Sequence, residues 1–506
     1  MSVPSVLNAD MGVLGHAMAL PVVLPLLAAF LLPSLNRVFR PMARIAGPAV
    51  LAGCLVVLLH IGSQWDGEPF SVALGGFAPP LGINFYVDGL SLLFATLVVI
   101  MGLLLWPSIH AGDDSDGIRE HALTLLLIGA SVGLVLSGDL FNMYVFYELV
   151  SVASFGLVAA RATGAAYVAG FRYLMISGLG SVFALTGIAL IYTHTGTLNI
   201  AHLGLLTSKL DSVIGLTGFA FIALGLGVKA ELFPVNTWVP EVYATAPRRI
   251  TALLAGVISK VAVLALVRVL VLAFPGEEAR QLLLILGVSG VVFGELAAYR
   301  AKDMARMLAW SSIGQLGLVF VAFSLPGEEG MFVGIALALH HLVIKPGLFL
   351  LAEHWGGALS ALHGEARQGA GSLWAGLLFV LFALSLVGVP PLPGFWAKLS
   401  LAQGLVAQES VWHVVALMAI LGATVIEANY LFTVAVRLFS PTTQVRPPQH
   451  GVLNLATSSA LAGVLVVGML AIAPLGERLG AMAGQSSDAA GYITTVASDA
   501  VKERAR

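Results

Sequence analysis

Residues 252–274 read ALLAGVISKVAVLALVRVLVLAF, an apolar run interrupted by only two charges, Lys260 and Arg268. As a helix rising about 1.5 Å per residue, this run is long enough to cross a hydrocarbon core of about 30 Å. Residues 122–138, ALTLLLIGASVGLVLSG, repeat the pattern. Hydrophobic residues make up 58% of the 506-residue chain and charged residues 10%, against about 25% charged in an ordinary soluble domain. Such a chain cannot cover a soluble surface. Backbone groups must satisfy one another in lipid, and runs of this length fit helices rather than barrel strands of about ten residues.

Working outward from 252–274, fourteen apolar spans are expected near 12–35, 45–62, 85–107, 121–138, 139–160, 167–193, 213–238, 250–273, 281–299, 307–325, 330–352, 373–400, 411–437 and 452–473. They form an all-α polytopic membrane domain covering residues 1–506, with no stretch between spans long enough for a soluble module. The first run is too long, and too poorly preceded by basic residues, for a cleaved signal peptide. With fourteen spans the connecting loops fall into two alternating sets. One carries fourteen basic residues, among them Arg37, Arg40, Arg44, Arg119, Arg161, Arg248, Arg249, Arg300, Lys302, Arg367 and Arg446. The other carries Lys209 and Arg280, the C-terminal tail set aside. Basic residues favour the cytoplasmic side, so both termini are expected on the outer face of the cell's inner membrane.

Several function classes are excluded by what is missing. A single cysteine, Cys54, can neither close an intrachain disulfide nor hold an iron–sulfur cluster. No glycine-rich nucleotide loop and no paired metal-ligand motif occurs. No cofactor or metal site is therefore expected, and a net charge of −2 gives no reason to expect nucleic acid.

The informative residues are charges inside the spans, which cost a few kcal/mol each at the bilayer centre. Glu148 lies nine residues beyond Asp139, roughly 14 Å deep at the helical rise. Lys260 lies eleven residues beyond Arg249, roughly 17 Å deep, and His340 and His341 sit roughly 15 Å into their span. Lys229 follows the apolar stretch 214–228. These positions form one layer near the midplane. A long side chain snorkelling to the interface, or a buried structural pair, accounts for any one of them; a layer of both signs at one depth points to an ion or proton path. Lys345 is placed to interact with His341 four residues earlier. Lys302 reads as a topology signal. Glu427 and Glu295 are buried by position without an evident partner, and Arg268 is structural or snorkelling.

Two spans are interrupted. In VKAELFP (228–234) Pro234 removes a helical hydrogen bond and clashes with the preceding turn, and Pro240 repeats the effect. In GVPPLPGFWAK (388–398) three prolines and two glycines surround a similar break. Each break has a lysine, Lys229 or Lys398, five residues from a proline. Irregular backbone is tolerated at membrane depth only where it packs in protein or lines a watery cavity, and paired broken segments point to an ion site.

At these residues the chain resembles the antiporter-like proton-translocating subunits of Mrp antiporters, complex I and membrane-bound group 4 hydrogenases. The matching stretches are GDLFNMYVFYEL (138–149), GVKAELFPVNTWVPEVYATAP (227–247), 251–260, DMARMLAWSSIGQLG (303–317), HLVIKPGLF (341–349) and 388–398. The resemblance implies fourteen helices, two inverted five-helix repeats (121–273 and 281–437) and broken helices seven and twelve. It implies a relay of Glu148, paired with Lys229, then Lys260, His341 and Lys398, with His340, Lys345 and Glu427 as further candidates. The Asp-Leu-Phe-Asn lead of 139–142 is most similar to the D subunit of Mrp antiporters, which implies Na⁺ or another monovalent cation as the coupled ion and other membrane subunits as partners. Asn236 stands where many relatives have histidine, Ala305 where many have lysine, and Arg248-Arg249 replaces an uncharged stretch. A redox-driven pump of the complex I or hydrogenase type, with no redox centre in this chain, is the alternative. A scaffold subunit that transports nothing is the alternative of a different class.

Overall fold

The computed structural model describes residues 5–107, 114–206, 212–355, 359, 362, 364, 370–441 and 451–497. Lys209, Arg367 and Arg446 of the charge argument lie outside the described residues. The chain opens with α1 (Ser5–Val38) and α2 (Arg40–Gln64), followed by an antiparallel hairpin of β1 (Phe70–Ala73) and β2 (Asn84–Val87) in the register Phe70 to Val87. Then come α3 (Gly89–Leu104), α4 (Asp114–Leu136), α5 (Leu140–Ala159), α6 (Gly164–Thr195), α7 (Ile200–Leu206) and α8 (Ser212–Gly227). Beyond a break lie α9 (Val239–Thr245) and α10 (Arg248–Leu253), the latter joined through a π-helical turn, Leu254–Ile258, to α11 (Ser259–Ala273). The second half comprises α12 (Glu277–Arg300), α13 (Met304–Ser324), α14 (Gly327–His354), α15 (Ala370–Val387), α16 (Pro393–Ala407) and α17 (Val411–Phe439). The chain ends with α18 (Val452–Leu470), α19 (Ile472–Ser487) and α20 (Ala489–Val496).

Among the described residues, eleven helices are long and apolar enough to cross a membrane. The third, seventh and twelfth expected spans coincide instead with shorter apolar helices, 89–104, 213–227 and 371–387. The helix starts follow capping chemistry: Asp88, Asp139, Thr163 and Asp303 each accept a hydrogen bond from a first-turn amide of α3, α5, α6 and α13, satisfying groups that have no partner within the helix. Small residues set the closest helix contacts. A Cβ at Gly187 of α6 would stand 2.6 Å from the Gly218 carbonyl of α8, and one at Gly317 of α13 would stand 2.6 Å from the Gly287 carbonyl of α12. This is the close backbone approach that small residues permit between membrane helices.

The span that decided the fold is the most interior. Residues 248–273 are buried along their whole apolar window, with α13 and α14 nearly so, whereas α2, α17 and α18 expose most of theirs. β1 lies in the stretch that hydropathy left unassigned, and β2 takes the start of the third expected span. Its Asn84 accepts from Asn199 Nδ2 at 2.9 Å and lies against Gly138, tying the starts of α5 and α7 together. The tail packs on the same structure: Gln485 bonds Gly89 and Gly67, and the rings of Tyr86 and Tyr492 lie 4.1 Å apart. Arg268 is structural rather than snorkelling, since its guanidinium sits 3.5 Å from Asp88 and bonds the Val135 carbonyl at 2.7 Å.

Candidate functional site

α8 ends at Gly227, seven residues before Pro234, and side chains bond carbonyls on both sides of that end. Trp238 Nε1 donates to Val228 O at 2.9 Å, Asn236 Nδ2 to Glu231 O at 2.9 Å and the Tyr147 hydroxyl to Gly225 O at 2.7 Å. Within this scaffold Glu231 has φ of +58°, a left-handed conformation that costs a non-glycine residue roughly 1–2 kcal/mol. Lys229, 2% exposed, points between α5 and α6. Its Nζ donates to Tyr173 at 3.3 Å and Ser177 at 3.2 Å, and it lies 4.9–5.5 Å from the ring centres of Tyr147, Phe155 and Tyr173. Glu148 accepts from the Ser181 hydroxyl of α6. The expected direct pairing of Glu148 with Lys229 is absent: one turn of α6, from Ser177 to Ser181, stands between their partners. Glu231 is buried as well. Its Oε1 accepts from the Tyr243 hydroxyl at 2.6 Å, while Oε2 has no hydrogen-bond partner among the described residues.

The central lysine follows from the π-helical turn. Gly256, inside that turn, packs where a Cβ would come within 2.4 Å of Pro346 on α14. The widened turn leaves the Ala255 carbonyl to be taken by Lys260 Nζ, which also donates to Ser259 Oγ at 3.1 Å. π-Turns of this kind concentrate at functional positions. Lys260 and Lys345 are both fully buried, so neither snorkels. Lys345 does not meet His341 along α14. Both reach α13 instead: Lys345 Nζ donates to Ser311 Oγ at 2.7 Å and Leu308 O at 3.2 Å, and His341 Nε2 pairs with Ser312 Oγ at 3.3 Å. His340 turns the other way, to Ser385 of α15 at 3.0 Å.

At the second break Gly388, with φ of +93°, closes α15, and both Gly388 N and Val389 N bond Leu384 O. This is the left-handed C-terminal turn that favours glycine. The break presents Val387 O to Lys398 Nζ at 3.4 Å, and the same Nζ forms an ion pair with Glu427 Oε2 of α17 at 2.8 Å. Glu427 Oε1 accepts from Gln315 of α13 at 2.6 Å. Glu295 of α12 lies beside this pair, its Oε2 accepting from Tyr430 at 2.7 Å.

Of the residues singled out in the sequence, Lys398 and Glu427 are joined directly, Glu148 and Lys229 share one face of α6, and His341 and Lys345 bond neighbouring serines of α13. Lys260 sits on its own π-turn. Sequence reasoning passed over Glu231, Gln315 and Tyr430. Glu231 could have been found by the rule applied to Lys229, that an acid inside a broken span is costly without a role. Gln315 and Tyr430 carry no charge and give no such signal.

The known proteins most informative about this geometry have multisubunit context in their names. The chain is 33% identical over 439 residues to the N subunit of the NADH-quinone oxidoreductase of Desulforudis audaxviator, covering 83% of this chain and 85% of that one. It is 29% identical over 400 residues to the D subunit of the Na⁺/H⁺ antiporter of Bacillus subtilis, covering 76% and 80%. Its fold superimposes with a TM-score of 0.87 and 28% identity on a chain of the membrane-bound sulfane sulfur reductase, an archaeal respiratory membrane complex, covering 95% of this chain and 99% of that one. The family described as NADH:quinone oxidoreductase/Mrp antiporter, transmembrane, matches residues 137–424, from the cap of α5 through both breaks into α17, and the chain belongs to that family.

Proposed function

We propose that this chain is a proton-translocating subunit of a hetero-oligomeric membrane complex, moving protons along Glu148, Lys229, Lys260, His341 and Lys398, with His340, Lys345 and Glu427 as auxiliary groups. The observation that carries the reading is the burial of Lys229, Lys260, His341 and Lys345, each at most 2% exposed, in interior elements. Burying that much ionisable chemistry is costly, and in membrane spans such groups mark ion and proton paths. An acid near a buried lysine favours its charged form, so displacing charge at one station changes the proton affinity of the next. Histidine suits a middle station because its ordinary pKa lies near neutrality.

The complex we infer is an Mrp-type cation/proton antiporter in the inner membrane, exchanging Na⁺ or another monovalent cation for protons. The lead GDLFNMYVFYEL and the likeness to a D subunit of a Na⁺/H⁺ antiporter support it. The second reading, a subunit of a redox-driven pump, is favoured by the 33% identity to an N subunit of an NADH-quinone oxidoreductase. In membrane vesicles the first predicts proton movement on adding Na⁺ and the second on adding a reductant and quinone. In either, Lys229→Ala and Glu148→Gln abolish proton flux while the complex assembles in normal amounts. Normal flux in assembled Lys229→Ala complex overturns the relay and leaves a scaffold. We further infer two inverted repeats, 121–273 and 281–437, and both termini on the outer face, in keeping with the basic loops. A cysteine replacing Arg40 in a Cys54→Ala chain then resists an impermeant thiol reagent added outside; its labelling reverses the orientation.

A further inference from the structure

We propose that Glu231 is a proton-carrying station between Lys260 and His341, handing the proton across from the first broken segment to α14 through Ser312. The inference rests on the proton-translocating reading above and adds a residue to it.

Three observations converge on this carboxylate. It is 1% exposed, and its Oε2 has no hydrogen-bond partner among the described residues, although the Val228 and Glu231 carbonyls of the same break are both taken by side chains. A buried oxygen without a partner is costly in a purely structural role. Its left-handed backbone, φ +58°, is held by Asn236 on its own carbonyl and by Tyr243 on Oε1. A strained residue fixed by its surroundings is the kind of feature that clusters at functional sites. Its neighbours also lead both ways. Lys260, Lys345 and the Ser312 hydroxyl all lie near enough to act on its charge, and Ser312 Oγ lies 3.3 Å from His341 Nε2. Tyr173, a partner of Lys229, feels the charge of Glu231 as well.

The transfer balances without any co-reactant. An N–H bond of the Lys260 ammonium breaks and an O–H bond forms on Glu231, leaving a neutral amine and a neutral acid. Glu231 then gives that proton to Ser312 Oγ as the serine releases its own hydroxyl proton to His341 Nε2, leaving the carboxylate and an imidazolium. Transport in the other direction runs the same bonds in reverse. Glu231 thus bridges two stations, Lys260 and His341, whose own hydrogen bonds go to other partners.

The test is made on the intact complex in membrane vesicles. Glu231→Gln keeps the side-chain length and an acceptor for Tyr243 but cannot carry a proton, so a structural role predicts near-normal flux. The proposal predicts a loss of about a hundredfold, the range in which a positioned proton-transfer group acts, with Glu231→Asp restoring a measurable part. Lys229→Ala is run beside them. Loss in Lys229→Ala with normal flux in assembled Glu231→Gln overturns this inference and leaves the relay standing. Normal flux in Lys229→Ala overturns the relay reading itself. Loss in Glu231→Gln with no recovery in Glu231→Asp, at equal assembly, also counts against a proton carrier at this position.

Discussion

The two breaks hold their lysines in opposite ways. After α8, Lys229 meets two neutral hydroxyls and three aromatic faces, and Glu148, the acid that acts on it, is bonded elsewhere, to Ser181. After α15, Lys398 forms an ion pair with Glu427 at 2.8 Å, and Glu427 is itself held by Gln315. An ammonium over aromatic faces gains about 2 kcal/mol when desolvated. It leaves no contacting carboxylate unpaired if its proton departs. A proton leaving Lys398 strips Glu427 of its only cation among the described contacts. Two halves with similar sequence signals, a lysine five residues from a proline, thus hold one lysine among neutral groups and the other in a pinned ion pair.

The largest effect that separates them is on stability. Removing one partner of a buried ion pair costs about 3–5 kcal/mol, because the other charge is stranded. Lys398→Ala is therefore expected to lower the melting temperature of the detergent-solubilised complex sharply, and Glu427→Gln added to it to recover most of the loss. Lys229→Ala strands no contacting carboxylate and is expected to lower melting much less than Lys398→Ala while losing transport. Equal melting losses in Lys398→Ala and Lys229→Ala would erase the contrast between the breaks. A larger recovery than expected in the double variant would sharpen it, by assigning nearly all of the cost to Glu427.

Much of this contrast is legible in the sequence. Proline placement fixes both breaks, because a missing amide and a ring clash are local and unconditional. Depth counting expects Lys260 and His341 deep within their spans, because a helix rises by a constant step, and both side chains are buried. Partnership is not legible. The resemblance implies a Glu148–Lys229 contact, and the structure interposes a turn of α6 bearing Ser177 and Ser181. The helical spacing of His341 and Lys345 suggests a mutual contact, yet two serines on α13 draw the side chains away. Glu427 looks solitary because Lys398 is twenty-nine residues away in sequence. Side-chain pairing across helices depends on rotation and crossing, which hydropathy does not encode. The π-turn before Lys260 is equally hidden, since it arises where Gly256 meets Pro346 of another helix.

The smallest expected effect tests how the first break is kept open. The second break closes on backbone bonds of its own, Gly388 N and Val389 N to Leu384 O. The first also has backbone bonds, Leu232 N to Gly227 O at 2.8 Å among them, but adds side-chain struts, and Asn236 supplies the bond to the Glu231 carbonyl at 2.9 Å. Asn236→Ala removes one buried donor and leaves that carbonyl unpaired, a cost of about 1–3 kcal/mol. Because the Asn236 amide bonds the Glu231 backbone rather than Lys229 or the Glu231 carboxylate, the loss falls on the backbone carrying both. Melting is expected to drop less than in Lys398→Ala, and proton flux to fall severalfold rather than vanish. Asn236→His, with a ring nitrogen able to donate, is expected to regain part of both. If Asn236→Ala leaves melting and flux unchanged, the side-chain struts do not set the geometry of Lys229, and the breaks differ only in the partners of their lysines.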